Sequence, residues 1–267
     1  MITSLLLGVL VGAVLGLTGA GGGILAVPAL VVGLGWTMQQ AAPVALIAVA
    51  AGAAVGALEG FRHGLVRYKA AILMAITGAA STTLGLQAAK LMSQQVLLLL
   101  FSAVMLFVAV RMFLQARRDE PDDDSSRWVV AHLSDETGRL IWNWPTAGAL
   151  AGIGVVTGVM TGLLGVGGGF VIVPLLRRFT DVGMKCIVAT SLLTIALVGA
   201  GGVANAVLQG ADLPLKTTLQ FSGAMIVGML IGRVVSQRVS STVVQTGFSV
   251  VLFLVALGLI GKALIGD

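Results

Sequence analysis

Two segments of this sequence place glycine where a helix would have to break. Gly21-Gly22-Gly23 and Gly167-Gly168-Gly169 are each followed, after four intervening residues, by a proline, Pro28 and Pro174. Three consecutive glycines are poor helix material. A short helix that starts just after them turns unpaired backbone N–H groups, and the positive end of its dipole, back toward the break. Such an end suits an anion, and glycine also lets the backbone approach a ligand closely. The other reading of these glycines is tight helix packing through small residues. That reading fits Gly8, Gly12, Gly16, Gly152 and Gly158, whereas a triple glycine followed by proline breaks a helix and does so twice.

Other polar residues lie in apolar surroundings. Thr190, Thr194 and Asn205 are spaced by four and eleven residues, so they form one stripe on a 3.6-residue helix. Thr190, Ser191 and Asn205 are candidates for a hydrogen-bonding wall around the anion, with interhelical or self-helix bonding as the alternative. Glu59, followed by Arg62 and His63, could carry coupling protons, because His titrates near neutrality. Its position near a helix end favours the alternative, an ion pair at the surface. Lys185 could draw anions into a vestibule or serve as a topology anchor. Cys186 reads as membrane filler, and no Cys/His cluster has metal-ligand spacing. No nucleophile has a base beside it, and His63 and His132 both fall in predicted loops, so an enzyme is not expected, nor is a cofactor.

The elements that must position these residues follow from composition. The chain has 267 residues, 57% of them hydrophobic and only 10% charged, with a mean hydropathy of +1.04. Met1 to Leu58 contains no charged residue or histidine, and further uncharged runs of membrane-spanning length follow. The runs are continuous and lack the alternation of a transmembrane barrel, so an all-α polytopic membrane protein is expected. The 37 glycines show no three-residue period, which excludes collagen. A net charge of +5 comes from bases scattered between apolar runs, without the clustered face that nucleic acid requires. The N-terminus has the apolar stretch of a signal peptide but no basic n-region, and its pattern recurs later, so it is expected to be part of the fold.

That recurrence is an internal repeat. Sliding the chain by 146 residues aligns Gly12, Gly16, Gly19, Gly21, Gly22, Gly23, Val27, Pro28 and Leu30 with identical residues at 158, 162, 165, 167, 168, 169, 173, 174 and 176. The expected organisation is a first transmembrane repeat at 1–115, a charged linker at 116–144 and a second repeat at 145–267. The linker holds seven of the eleven acidic residues, and part of 127–141 could be an interfacial helix. Each Gly-rich stretch either crosses as one broken span or folds back. Folding back leaves three full spans per half, inverts the second half and puts thirteen of the sixteen bases on one side, leaving Lys90, Lys216 and Lys262 opposite. By the positive-inside rule this favours two inverted repeats, each with a re-entrant half-helix pair plus three spanning helices. Both termini are then outside and the linker cytoplasmic. The expected segments are 3–18, 24–35, 40–60, 69–89, 94–115, 146–164, 170–180, 185–208, 216–235 and 240–263.

Inverted repeats with broken helices are the architecture of secondary transporters. The runs TGAGGGILAVPAL at 18–30, GLLGVGGGFVIVPLL at 162–176 and GMKCIVATSLLTI at 183–195 resemble the sulfite exporter TauE/SafE family, also called TSUP. The resemblance covers both halves and implies an inner-membrane carrier of sulfur-containing anions such as sulfite, thiosulfate or sulfonates, or of related small organic anions. Val44-Ala45 stand where the second half has Thr190-Ser191, so the expected site is asymmetric. A passive anion channel is the alternative, and export would gain from the inside-negative potential. The expected partners are the anion and membrane lipid, without nucleic acid; small-residue spacing leaves a homodimer open.

Overall fold

The computed structural model describes residues 2–19, 21–117, 130–131, 140–208, 214–236 and 238–265. Most of the linker, with His132 and most of the 127–141 interval expected to hold an interfacial helix, lies outside the described residues, as does Ala20. Ten α-helices account for nearly all of the described chain. They are α1 (Ile2–Thr18), α2 (Ala26–Gly33, preceded by a 3-10 turn at Gly22–Leu25), α3 (Met38–Arg62), α4 (Tyr68–Leu91) and α5 (Gln94–Arg117), then α6 (Trp144–Leu164), α7 (Gly169–Phe179), α8 (Met184–Leu208), α9 (Leu215–Ser236) and α10 (Ser241–Ile265). The expected segments are all present, most with ends extended by a few residues.

Among the described residues, seven helices are long and apolar enough to cross a membrane: α3, α4, α5, α6, α8, α9 and α10. The protein is therefore a multi-pass helical membrane protein. The sequence expectation of three spanning helices per half omits α6, whose 21 residues also suffice by length. Its extra length comes from its start, where the Asn143 side chain accepts a hydrogen bond from the Thr146 N–H at 2.9 Å and Pro145 occupies the first turn.

Both Gly-rich stretches fold back. A Cβ on Gly22 would overlap the backbone of Leu15, and one on Gly33 would overlap the Leu7 side chain, so α2 returns along α1. In the second half, Gly168 lies against Thr157 and Thr161. The start of α6 and the end of α7 meet at residue 130: Thr146 Oγ1 donates to the Val130 carbonyl and the Val130 N–H donates to the Phe179 carbonyl.

The most extensive helix contacts match when the two halves are exchanged. Helix α1 packs on α9 as α6 packs on α4, α3 meets α9 as α8 meets α4, and α3·α8 and α5·α10 are self-matched pairs. Helices α1 and α9 run parallel, with Gly8 at Phe221, Gly12 at Met225 and Gly16 at Met229. The equivalent helices α3 and α8 run antiparallel, with Gly202 at Leu46, Gly199 at Ala50 and Gly60 at Ala189. Gly12, Gly16 and Gly158 allow close approaches, because a Cβ at each would overlap a carbonyl oxygen of the facing helix. Gly152 departs from the packing expectation: nothing lies within 4 Å of a Cβ built there.

Substituting Gly158 with Val should therefore lower the melting temperature of the purified protein in detergent by the equivalent of ~1–3 kcal/mol, the usual cost of overpacking. Gly152→Ala should leave it unchanged or raise it.

Candidate functional site

The two breaks meet inside the bundle. Gly22 and Gly23 of the first and Gly167, Gly168 and Gly169 of the second are buried, and Gly21 is half-buried. A Cβ on Gly23 would lie 3.0 Å from the Val49 side chain and 3.5 Å from the Val166 carbonyl oxygen, and one on Gly167 would lie 3.1 Å from that same Val49. Thus the breaks share one neighbour on α3 and approach each other directly.

Each break opens in the same way. The N–H of Gly19 closes α1 on the Leu15 carbonyl at 2.9 Å, and the N–H of Gly165 closes α6 on the Thr161 carbonyl at 2.8 Å, both glycines having positive φ. The second break then adds positive φ at Gly167 and Gly168, values that L side chains rarely adopt. Gly168 is the N-cap of α7, and its carbonyl accepts from the Val171 and Ile172 N–H groups. The amides of Gly169 and Phe170 precede any helical carbonyl that could pair them. They form a short row of donors at the positive end of an 11-residue helix.

Three buried residues near this region carry hydroxyls that have no partner among the described residues. Thr157, Thr161 and Ser191 are fully buried, and the Oγ of each lacks a hydrogen bond. A Cβ on Gly168 would overlap the Thr157 methyl and lie 3.2 Å from Thr161 Oγ1. On α8, Val188 packs on Gly19 of the first break and Ile195 on Gly167 of the second. Ser191, three residues after Val188 and four before Ile195, shares that face and sits between the breaks. A buried hydroxyl in a helix ordinarily bonds its own backbone. Thr82, Ser102, Thr180 and Thr194 all donate to the carbonyl four residues back, at 2.7 to 3.0 Å. Thr157, Thr161 and Ser191 do not, and a buried polar group left unpaired costs ~1–3 kcal/mol.

The remaining sequence candidates are spread along the bundle. The Thr190 Oγ1 accepts the Arg67 N–H at 3.0 Å, toward the bundle end that carries the α3–α4 loop. Asn205 is half-buried and hydrogen-bonded or otherwise engaged. It lies fourteen residues beyond Ser191 on the same helix, ~21 Å along the axis. The stripe of Thr190, Thr194 and Asn205 is thus real as a helix face, but the structure does not bring its ends together. Glu59 pairs with Arg233 at 3.1 Å, and Arg233 also donates to the Gly56 carbonyl. With Glu59 40% exposed, this helix-end ion pair is worth at most ~1 kcal/mol. His63 is exposed and caps α3, its N–H donating to the Glu59 carbonyl. Lys185 is exposed in the first turn of α8. Among the described residues no group of His, Cys, Asp and Glu could hold a metal.

Sequence reasoning missed Thr157 and Thr161. The signal was present in the repeat: they align with Val11 and Leu15, just as Thr190 and Ser191 align with Val44 and Ala45. All four hydroxyls belong to the second half, and their buried first-half equivalents are apolar.

Comparison with known proteins points to a membrane transporter. The family described as "Sulfite exporter TauE/SafE" matches residues 4–259. A "Probable membrane transporter protein" of Xylella fastidiosa (strain 9a5c) is 31% identical over 193 residues, 72% of this chain and 68% of that protein. "Probable membrane transporter protein YunE" of Bacillus subtilis (strain 168) is 24% identical over 261 residues, 95% of each chain. No solved structure matches the chain significantly.

Replacing Thr161 with Val, or Ser191 with Ala, should raise the melting temperature in anion-free detergent or leave it unchanged, because each removes an unpaired buried hydroxyl. A drop equivalent to more than ~1 kcal/mol would mean that the hydroxyl is already paired in the unliganded protein.

Proposed function

The chain belongs to the sulfite exporter TauE/SafE family, and from that premise we propose that it is a secondary carrier of small sulfur-containing anions such as sulfite, thiosulfate or organosulfonates, working as an exporter. A membrane transporter, rather than an enzyme, is what the family and its relatives indicate. In this reading the anion binds between the two breaks, with its charge at the start of α7. The observation that carries the reading is the trio of unpartnered hydroxyls of Thr157, Thr161 and Ser191 beside an unpaired helix start. Bare donors in a dry interior are costly unless a ligand accepts from them. Gly21, Gly22 and Gly23 supply the facing wall, and Thr190, Asn205, Glu59, His63 and Lys185 stand outside the immediate site.

Packing at the breaks supports a carrier over a channel. A Cβ on Gly167 would come within 2.9 Å of Ile195 and one on Gly23 within 3.0 Å of Val49, so the chain closes on itself where the anion would pass. Transport then requires one half to move against the other. The antiparallel pairing of the equivalent helices α3 and α8 supports inverted halves. The distribution of Lys and Arg supports placing the α3–α4 loop and the linker in the cytoplasm, with both termini outside the cell's inner membrane.

In proteoliposomes, efflux of radiolabelled sulfite should saturate and should accelerate when unlabelled sulfite is present on the opposite side. Thr161→Val should reduce that exchange about tenfold or more, the loss expected for a hydrogen bond to a charged group. Flux that neither saturates nor responds to sulfite across the membrane would indicate a channel, and no flux with any sulfur oxyanion or sulfonate would remove the substrate assignment.

A further inference from the structure

A second set of unpaired donors lies away from the breaks, where the α3–α4 loop crosses the start of α8. Arg67 ends that loop, and its main-chain N–H donates to Thr190 Oγ1 at 3.0 Å. Its side chain lines a small cavity together with Thr190, Thr180, Leu140, Ile187 and Leu176. The Nε of Arg67 is buried there and has no hydrogen-bond partner. Thr190 is also buried, and its hydroxyl accepts from Arg67 without donating to any group among the described residues. Thr180, the other hydroxyl on the wall, already donates to the Leu176 carbonyl at 2.7 Å. The cavity therefore presents two unused donors, one on a permanently charged guanidinium, and otherwise mainly apolar walls. Its volume is ≈ 10 Å³, about the room of a single oxygen atom or water.

A desolvated guanidinium N–H without an acceptor is among the costlier groups to bury, and charge-assisted bonds to oxyanions are among the strongest it can make. We infer that this cavity is a second anion site, which seats one oxygen of a small oxyanion between Arg67 Nε and Thr190 Oγ1 while the rest of the anion faces outward. Helix α8 links the two places. Thr190 directly precedes Ser191, so an anion held at Arg67 stands next to the wall of the substrate site, about one helical turn from the face that touches the glycine breaks. The cavity is an outer station on the transport path, at the end of the bundle bearing Glu59 and Arg233. This site does not depend on the one at the breaks, because none of its donors belongs to the glycine motifs.

The test is calorimetric titration of the full-length protein in detergent with sodium sulfite against a constant background of sodium gluconate. The set comprises the wild type, Arg67→Gln, Arg67→Lys, Thr190→Val, Thr190→Ser and Ser191→Ala. Two classes of site are expected in the wild type. Arg67→Gln and Thr190→Val should each weaken one class about tenfold or more, Thr190→Ser should retain it, and Ser191→Ala should weaken only the other. Arg67→Lys keeps the charge without the Nε–H and should restore that class only in part. Melting without sulfite identifies any variant that fails to fold, in which case the lysine and serine variants carry the comparison. Loss of binding in Arg67→Gln with full binding in Ser191→Ala supports the second site and counts against the first. Binding that is unchanged in Arg67→Gln and Thr190→Val overturns the second site alone, and absence of sulfite binding in the wild type overturns both.

Discussion

A helix that stops inside a bilayer must hide the backbone groups it leaves unpaired, because hydrocarbon offers them nothing. That constraint organises this protein. Two helix pairs turn back at glycines, and both turns are buried against each other and against α3 and α8. The long helices form the shell that makes such turns tolerable. Close glycine contacts between α1 and α9, and between α4 and α6, hold each hairpin's outer arm on the other half of the chain. Each half therefore supports the other's broken helix, and neither repeat completes the arrangement alone.

Within this symmetric frame the chemistry is one-sided. The carbonyls that close α1 and α6 occupy equivalent places, at Leu15 and Thr161. The side chains there differ, apolar in the first half and hydroxylic in the second. The two turns are alike in sequence, but among the described residues the unpartnered hydroxyls of Thr157, Thr161 and Ser191 all belong to the second half. The proposed site would hold an anion's oxygens on one side, with the buried apolar Val11, Leu15, Val44 and Ala45 at the equivalent positions of the other. Neutral hydroxyls and backbone amides also suit transport better than a fixed cation would, since binding must be reversible in both orientations.

Much of this was legible in the sequence because it rests on strong local signals. Uncharged runs located the helices, the 146-residue offset located both breaks, and the one-sided count of bases favoured folding back over crossing. In the structure α2 packs back along α1, with Gly22 at Leu15 and Gly33 at Leu7. Less legible was which hydroxyls are free. Thr82, Thr194 and Thr161 look alike in sequence, yet two bond their own helix and the third does not. That difference depends on tertiary surroundings. Gly152 likewise carries the small-residue spacing of its neighbours but faces open space, because spacing identifies a helix face without saying whether another helix covers it. Arg67 reads in sequence as one more topology-determining base; only the cavity beside Thr190 sets it apart.

The central question for this protein is whether an oxyanion sits at the start of α7. Selenite, whose selenium scatters anomalously and whose shape and charge stand in for sulfite, can be located in crystals of the full-length protein. An anomalous peak within hydrogen-bonding reach of the Gly169 amide and the Thr161 and Ser191 hydroxyls is the predicted result. A well-ordered structure with selenite present and those donors still bare would contradict it.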